Sequence, residues 1–163
     1  MLKLQPRNLL WLPLVIAIIA LDLWTKSLAT ANLDYGVPVE LLPVFNLTLQ
    51  HNSGAAFSFL SDAGGWQRWF FSAIAIVVGL FLLAWIVRLQ AGQKMLGCSL
   101  SLILAGALGN LWDRLELGYV VDFISLHYQS YYFPAFNIAD SAITVGAILM
   151  LLDMFIHPDN HAS

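Results

Sequence analysis

The sequence predicts an all-α membrane protein built on four transmembrane helices, and three observations carry that expectation. Of its 163 residues, 60% are hydrophobic and only 10% are charged, with a mean hydropathy of +0.76. Such a chain lacks the polar surface to cover a water-soluble globule, so the bilayer must be its main solvent. Four windows of about 19 apolar residues, the length that crosses a hydrocarbon core, recur along it. The ionisable and amide residues at the edges of those windows gather at one end of three of them. Continuous apolar runs exclude the alternating pattern of a barrel, and backbone groups in lipid must be satisfied internally, so the spans are helices.

The first span runs from Leu9 to about Leu28 and contains Asp22 and Lys26. Lys3, Arg7 and the small residues Ala29-Thr30-Ala31 imitate a signal peptide. Asp22 and Lys26 interrupt the apolar run, however, and cleavage would leave three spans with an odd topology. A long segment follows, about Ala29 to Gln67. Within it Val44 to Gln50 alternates apolar and polar residues, a short strand, and Pro38 and Pro43 confine their neighbours to edges and turns. The second span, 69–87, is uncharged and bracketed by Arg68 and Arg88; the third, 95–112, follows after a short connection. The segment 113–137 contains Asp122 and then the aromatic, mildly amphipathic stretch Phe123 to Phe133, suited to lying in the headgroup zone. The fourth span, 138–156, opens with Asp140 and holds Asp153 near the terminus-side interface. No repeat or soluble-domain boundary divides the chain, so residues 1–163 are expected to form one integral-membrane domain.

Four antiparallel spans place both termini on one side. Lys3, Arg7, Arg88 and Lys94 fall there and Lys26, Arg68 and Arg114 opposite; four of seven basic residues against three puts the termini in the cytoplasm. The segments 29–67 and 113–137 are then extracytoplasmic. Up-and-down threading brings Asp22, Lys26, Asn110, Asp113, Arg114, Asn137 and Asp140 to that same face. Ionisable residues at membrane depth are costly, so their convergence marks a site. The net charge of −3 lacks the basic patch that nucleic acid requires. The lone Cys98 excludes an internal disulfide and reads as a small buried hydrophobe.

Each constellation has a bland and a chemical reading. Asp22 and Lys26, four apart on one helical face, suit an ion pair that locks the bundle's outer end. In HNSGAAFSF, residues 51–59, Asn52 and Gly54 suit a turn, or a close backbone approach to substrate with Asn52 offering donor and acceptor. In GALGNLWDR the small residues, Gly106 among them, allow close helix packing, which leaves Asn110, Asp113 and Arg114 unexplained. Asn137 followed three residues on by Asp140 suits a helix cap. Asp122, flanked by Val120, Val121, Phe123 and Ile124, would be costly there unpaired. Two carboxylates at close range can share a proton. One can then activate water while the other protonates a peptide carbonyl, the division of labour in aspartic proteases. A proton-coupled transporter would spread carboxylates through the membrane's depth instead, and a scaffold would use polar residues only to pin helices. Metal chemistry is not expected, because Pro158 breaks the helix that His157 and His161 would share.

LDLWTK, HNSGAAFSF, GALGNLWDR, VVDFI and FNIADSAI resemble, in order and spacing, the motifs of the bacterial lipoprotein signal peptidases, the type II signal peptidases. The resemblance spans Asp22 to about Met154. It implies an intramembrane aspartic endopeptidase without cofactor, cleaving diacylglyceryl-modified prolipoproteins just before the lipidated cysteine, and expected to act as a monomer in the bacterial inner membrane. Asp122 and Asp140 would be the catalytic pair. Asp22, Lys26, Asn52, Gly54, Gly106, Asn110, Asp113, Arg114, Asn137 and Ala139 would support or contact the site. The segment around Asn52 would belong to a small extracytoplasmic β-sheet, and the segment after Asp122 to a covering flap.

Overall fold

The computed structural model describes residues 6–54 and 65–158. A 3-10 turn, Pro6–Trp11, leads into helix α1, Leu12–Asn32. Strands β1, Val39–Leu42, and β2, Phe45–Asn52, follow, then helices α2, Trp66–Ile86, and α3, Lys94–Glu116. Strands β3, Val120–Tyr128, and β4, Tyr131–Tyr132, precede helix α4, Ile138–Ile156. All four helices are long and apolar enough to cross a membrane. Near the end of α1 the Thr30 hydroxyl and the Asn32 amide donate back to the carbonyls of Lys26 and Leu28.

Helix α3 is the axis of the bundle, packed by α1, α2 and α4. Leu96, Leu100, Leu104 and Ala105 on α3 form one core with Val15, Leu82 and Ile86. Glycine sets the α3–α4 spacing. A Cβ on Gly106 would strike the Ala139 carbonyl oxygen, and one on Gly146 would lie 2.8 Å from the Ser99 carbonyl oxygen. The outward faces carry Trp69, Val77, Leu80 and Phe81, exposed apolar side chains suited to lipid.

At one end of the bundle the four strands form an antiparallel sheet in the order β1-β2-β3-β4. The register sets Gln50 opposite Asp122 and Asn52 opposite Val120, with an irregularity between Leu47 and Gln50. Ala29, Leu49, Val121 and Phe123 form a second core where α1 meets the sheet. The stretch expected as a flap, Phe123 to Phe133, is instead mostly the sheet's β3 and β4. Val121 and Phe123 are drawn into that second core, and Ser125 is buried with them. The chain then turns at Gln129, in the left-handed region at φ 54, into β4. Leu126 and the aromatic end of the stretch, from Tyr128 to Phe133, stand exposed.

Candidate active site

Asp140 sits at the head of α4 within a reciprocal cap. The Asn137 Oδ1 accepts from the Asp140 amide at 2.8 Å, and the Asp140 Oδ2 accepts from the Asn137 amide at 3.3 Å. The cap leaves Oδ1 of Asp140 to accept from Asn110 Nδ2 at 2.7 Å. Capping and the carboxylate's outward contact therefore coexist on one side chain.

Asp122 arrives from β3 and is 2% exposed. Its Oδ1 accepts from Asn137 Nδ2 at 2.8 Å and its Oδ2 from Asn52 Nδ2 at 3.1 Å. Asn52 is aimed by its own turn. The Gly54 amide donates to Asn52 Oδ1 at 2.9 Å, from a backbone at φ 99 that glycine adopts without strain. A Cβ on Gly54 would also lie 2.5 Å from the Phe71 ring, so the backbone here packs closely on Phe71.

Two carboxamides bridge the acids. Asn137 Nδ2 also donates to Asn110 Oδ1 at 3.1 Å and the Val121 carbonyl at 3.2 Å, sharing two hydrogens among three acceptors. Asp122 and Asp140 thus lie on either side of the pair Asn110–Asn137. Burial pushes the Asp122 carboxyl up to about 7, and the negative charge of Asp140 pushes the same way. The Asn52 bond, the Lys26 charge and the Asn137 bond oppose the rise.

Lys26 supports the bridge from beneath. Its Nζ reaches Asp22 Oδ2 at 2.7 Å, Asp113 Oδ2 at 2.9 Å and Asn110 Oδ1 at 3.1 Å. Asp22 Oδ1 accepts from the Ala139 amide at 2.8 Å, and Asp113 Oδ2 from the Val121 amide at 3.0 Å. Gly109 makes room for this cluster, since a Cβ there would lie 2.7 Å from Asp22 Oδ2. Arg114 donates to the Asn110 carbonyl at 3.3 Å and lies over the Phe71 ring at 5.4 Å.

All twelve residues singled out from the sequence therefore meet at or beside one locus, Gly106 by admitting the Ala139 backbone. Of the stretch HNSGAAFSF, Ala55 to Phe59 lie outside the described residues. Among the described residues no group of three or more His, Cys, Asp and Glu side chains is placed to hold a metal ion.

Comparison with known proteins decides the family. A sequence model described as signal peptidase (SPase) II matches residues 14–156. The chain belongs to the signal peptidase II family. A lipoprotein signal peptidase of Acinetobacter baumannii is 56% identical over 153 residues, covering 94% of this chain and 87% of its own length. One from Pseudomonas aeruginosa is 52% identical over 147 residues, covering 89% of this chain and 87% of its own. A bacterial membrane enzyme solved in meso at 2.3 Å superposes with a TM-score of 0.77 at 31% identity, covering 98% of this chain and 95% of that one. The activity of this chain is accordingly that of a lipoprotein signal peptidase, an aspartic peptidase.

Two features of this signal peptidase II were not foreseen. Phe71, beneath Arg114 and against Gly54, stands among other apolar residues, and nothing in the sequence marks it out. His51 stacks on Tyr119 at 4.0 Å and lies 4.8 Å from Tyr35, burial holding its imidazole below the usual range. Asp153, expected near the terminus-side interface, lies near that end of α4 but is buried, with His157 Nδ1 at 3.0 Å from its Oδ1; His161 lies outside the described residues.

Proposed function

We propose that this enzyme is an intramembrane aspartic endopeptidase. It removes the signal peptide from diacylglyceryl-modified prolipoproteins by cleaving just before the lipidated cysteine, with Asp122 and Asp140 as its catalytic pair. The observation that carries this reading is the pair of carboxylates on one amide bridge, one of them pushed up to about 7.

Burial favours the proton on Asp122, which donates it to the scissile carbonyl oxygen as water attacks the carbon. Asp140, half-buried at the helix head, takes the proton that water gives up and passes it to the leaving amine as the tetrahedral intermediate collapses, while Asp122 takes back a proton from the intermediate's hydroxyl. Asn110 and Asn137 fix both acids through this exchange. Asn52 holds the second oxygen of Asp122, and the Asp22–Lys26–Asp113 cluster keeps the bridge and the head of α4 in place. Gly106 and Ala139 bring α4 close to α3, while Gly54 and Arg114 shape the wall above Phe71. The exposed apolar helix faces give the substrate's acyl chains a lipid approach. Both termini lie in the cytoplasm of a bacterial inner membrane, the acids work near its extracytoplasmic face, and the enzyme acts as a monomer.

Purified protein mixed with a diacylated prolipoprotein and followed for signal-peptide release tests the pair. Asp122→Asn and Asp140→Asn each lower turnover at least about a hundredfold while the protein stays folded and inserted, because an amide cannot trade the proton. Near-normal turnover by either variant would overturn the assignment.

A further inference from the structure

At the end of the bundle away from the sheet, a cavity of about 440 Å³ opens where the 3-10 turn Pro6–Trp11 meets the connection between α2 and α3. The cavity is built rather than incidental. Asn8 is buried and its Nδ2 donates to the Leu89 carbonyl at 2.8 Å, clamping the turn onto the connection. The Trp11 indole fills the space that Gly97 leaves on α3. Arg7 and Lys94 both line the opening, and neither makes an ion pair among the described residues.

The charge around it is one-sided. At this end the described residues expose Arg7, Arg88 and Lys94, and the carboxylate nearby, Asp153, is buried beside His157. The sheet end instead exposes Asp34, Glu40 and Glu116. Ala91 and Gly92 also line the cavity, and their amides donate to no backbone acceptor among the described residues. Cations and amides without a backbone acceptor, on residues that line one cavity, suit an anion with several acceptor oxygens. The wall is also apolar on one flank, where Leu10 is 78% exposed beside Trp11. The whole lies where candidate spans begin and end, the depth of the headgroups.

We propose that this cavity binds the phosphate headgroup of an anionic glycerophospholipid, with Arg7 and Lys94 as counter-charges and Leu10 against the first part of an acyl chain. A free phosphate would use the cations but leave the apolar flank unused. A zwitterionic lipid would bring its own cation to a site that already holds two. The site is remote from the acids and does not depend on the roles given to them.

The full chain, purified in neutral detergent and mixed with phosphatidylglycerol or phosphatidylcholine, is read by native mass spectrometry for retained lipid. The wild type retains phosphatidylglycerol preferentially, and Arg7→Gln with Lys94→Gln lowers that retention roughly tenfold, since each cation near the surface contributes to anionic-lipid binding. Arg88→Gln removes one unit of charge outside the cavity and lowers retention less than either Arg7→Gln or Lys94→Gln alone. Cleavage of prolipoprotein by each variant reports that it is folded, and the single substitutions Arg7→Gln and Lys94→Gln give intermediate losses if the double variant does not fold. Equal retention of the two lipids, an Arg88→Gln loss as large as that of the cavity variants, or displacement of the lipid by excess inorganic phosphate overturns the proposal.

Discussion

The two acids share a bridge but not an environment, and that difference sets testable behaviour at the residue scale. Asp122 is enclosed by β3, Asn52 and Asn137, whereas Asp140 faces outward from a helix head. With Asp122 raised from 3.8 to about 7, the folded protein binds more protons than the unfolded chain between those values. Its share of stability therefore falls as pH rises across that window and stays low above it. Thermal unfolding in detergent should show the midpoint dropping from pH 5 to pH 8, and Asp122→Asn should make the drop shallower. Catalysis carries the same signature: if Asp122 is the acid, turnover declines as pH rises through about 7. Asn52→Leu removes a donor that favours the ionised form of Asp122 while keeping bulk in place, so the alkaline limb moves to higher pH. A limb that stays put would mean that another group titrates there.

At the scale of elements, the backbone contact between α3 and α4 carries the site, because it delivers Ala139 and Asp140 to Asn110 and Asp22. Gly106→Ala would drive a methyl into the Ala139 carbonyl and Ile143, and overpacking of that kind costs about 1–3 kcal/mol. Gly79→Ala on α2 meets only Leu104 at 3.6 Å and Leu108 at 3.9 Å, ordinary contacts, so its unfolding midpoint stays at or slightly above that of the wild type. Equal behaviour of the two variants would deny the α3–α4 contact its special place. The helices were legible because span length and apolarity leave a buried backbone one solution. The α4 cap was legible from Asn137 and Asp140 alone. Strand β3 was not, since its aromatic run mimics an interfacial segment, and its strand character depends on pairing with β2 across two intervening helices. Phe71 was hidden for a related reason: an aromatic ring in an apolar span becomes distinctive only when Gly54 and Arg114 come to lie against it.

At the scale of the whole molecule, a buried cation and its carboxylate partners tie α1, α3, α4 and β3 together at the sheet end. Lys26 on α1 contacts Asp22 on the same helix and Asp113 and Asn110 on α3. Asp22 then holds the α4 backbone at Ala139, and Asp113 the β3 backbone at Val121. Threading alone told that these residues share an end of the bundle. That the carboxylates also grip backbone amides of α4 and β3 required the fold, because sequence spacing says nothing of a partner 117 residues away. The cluster is buried, with one positive charge facing two carboxylates, and so its removal should be felt far beyond one contact. Lys26→Met keeps the bulk and leaves both acids without their counter-charge, and breaking a buried pair in this way costs about 3–5 kcal/mol. Chemical or thermal unfolding in detergent measures the loss, and turnover falls with it because Asn110 Oδ1 loses one of its two donors and keeps only Asn137. Adding Asp22→Asn to Lys26→Met should restore part of the stability, since one uncompensated charge disappears while the Ala139 amide still finds an oxygen. A Lys26→Met protein as stable as the wild type would show that helix packing and the sheet hold this end without the ions.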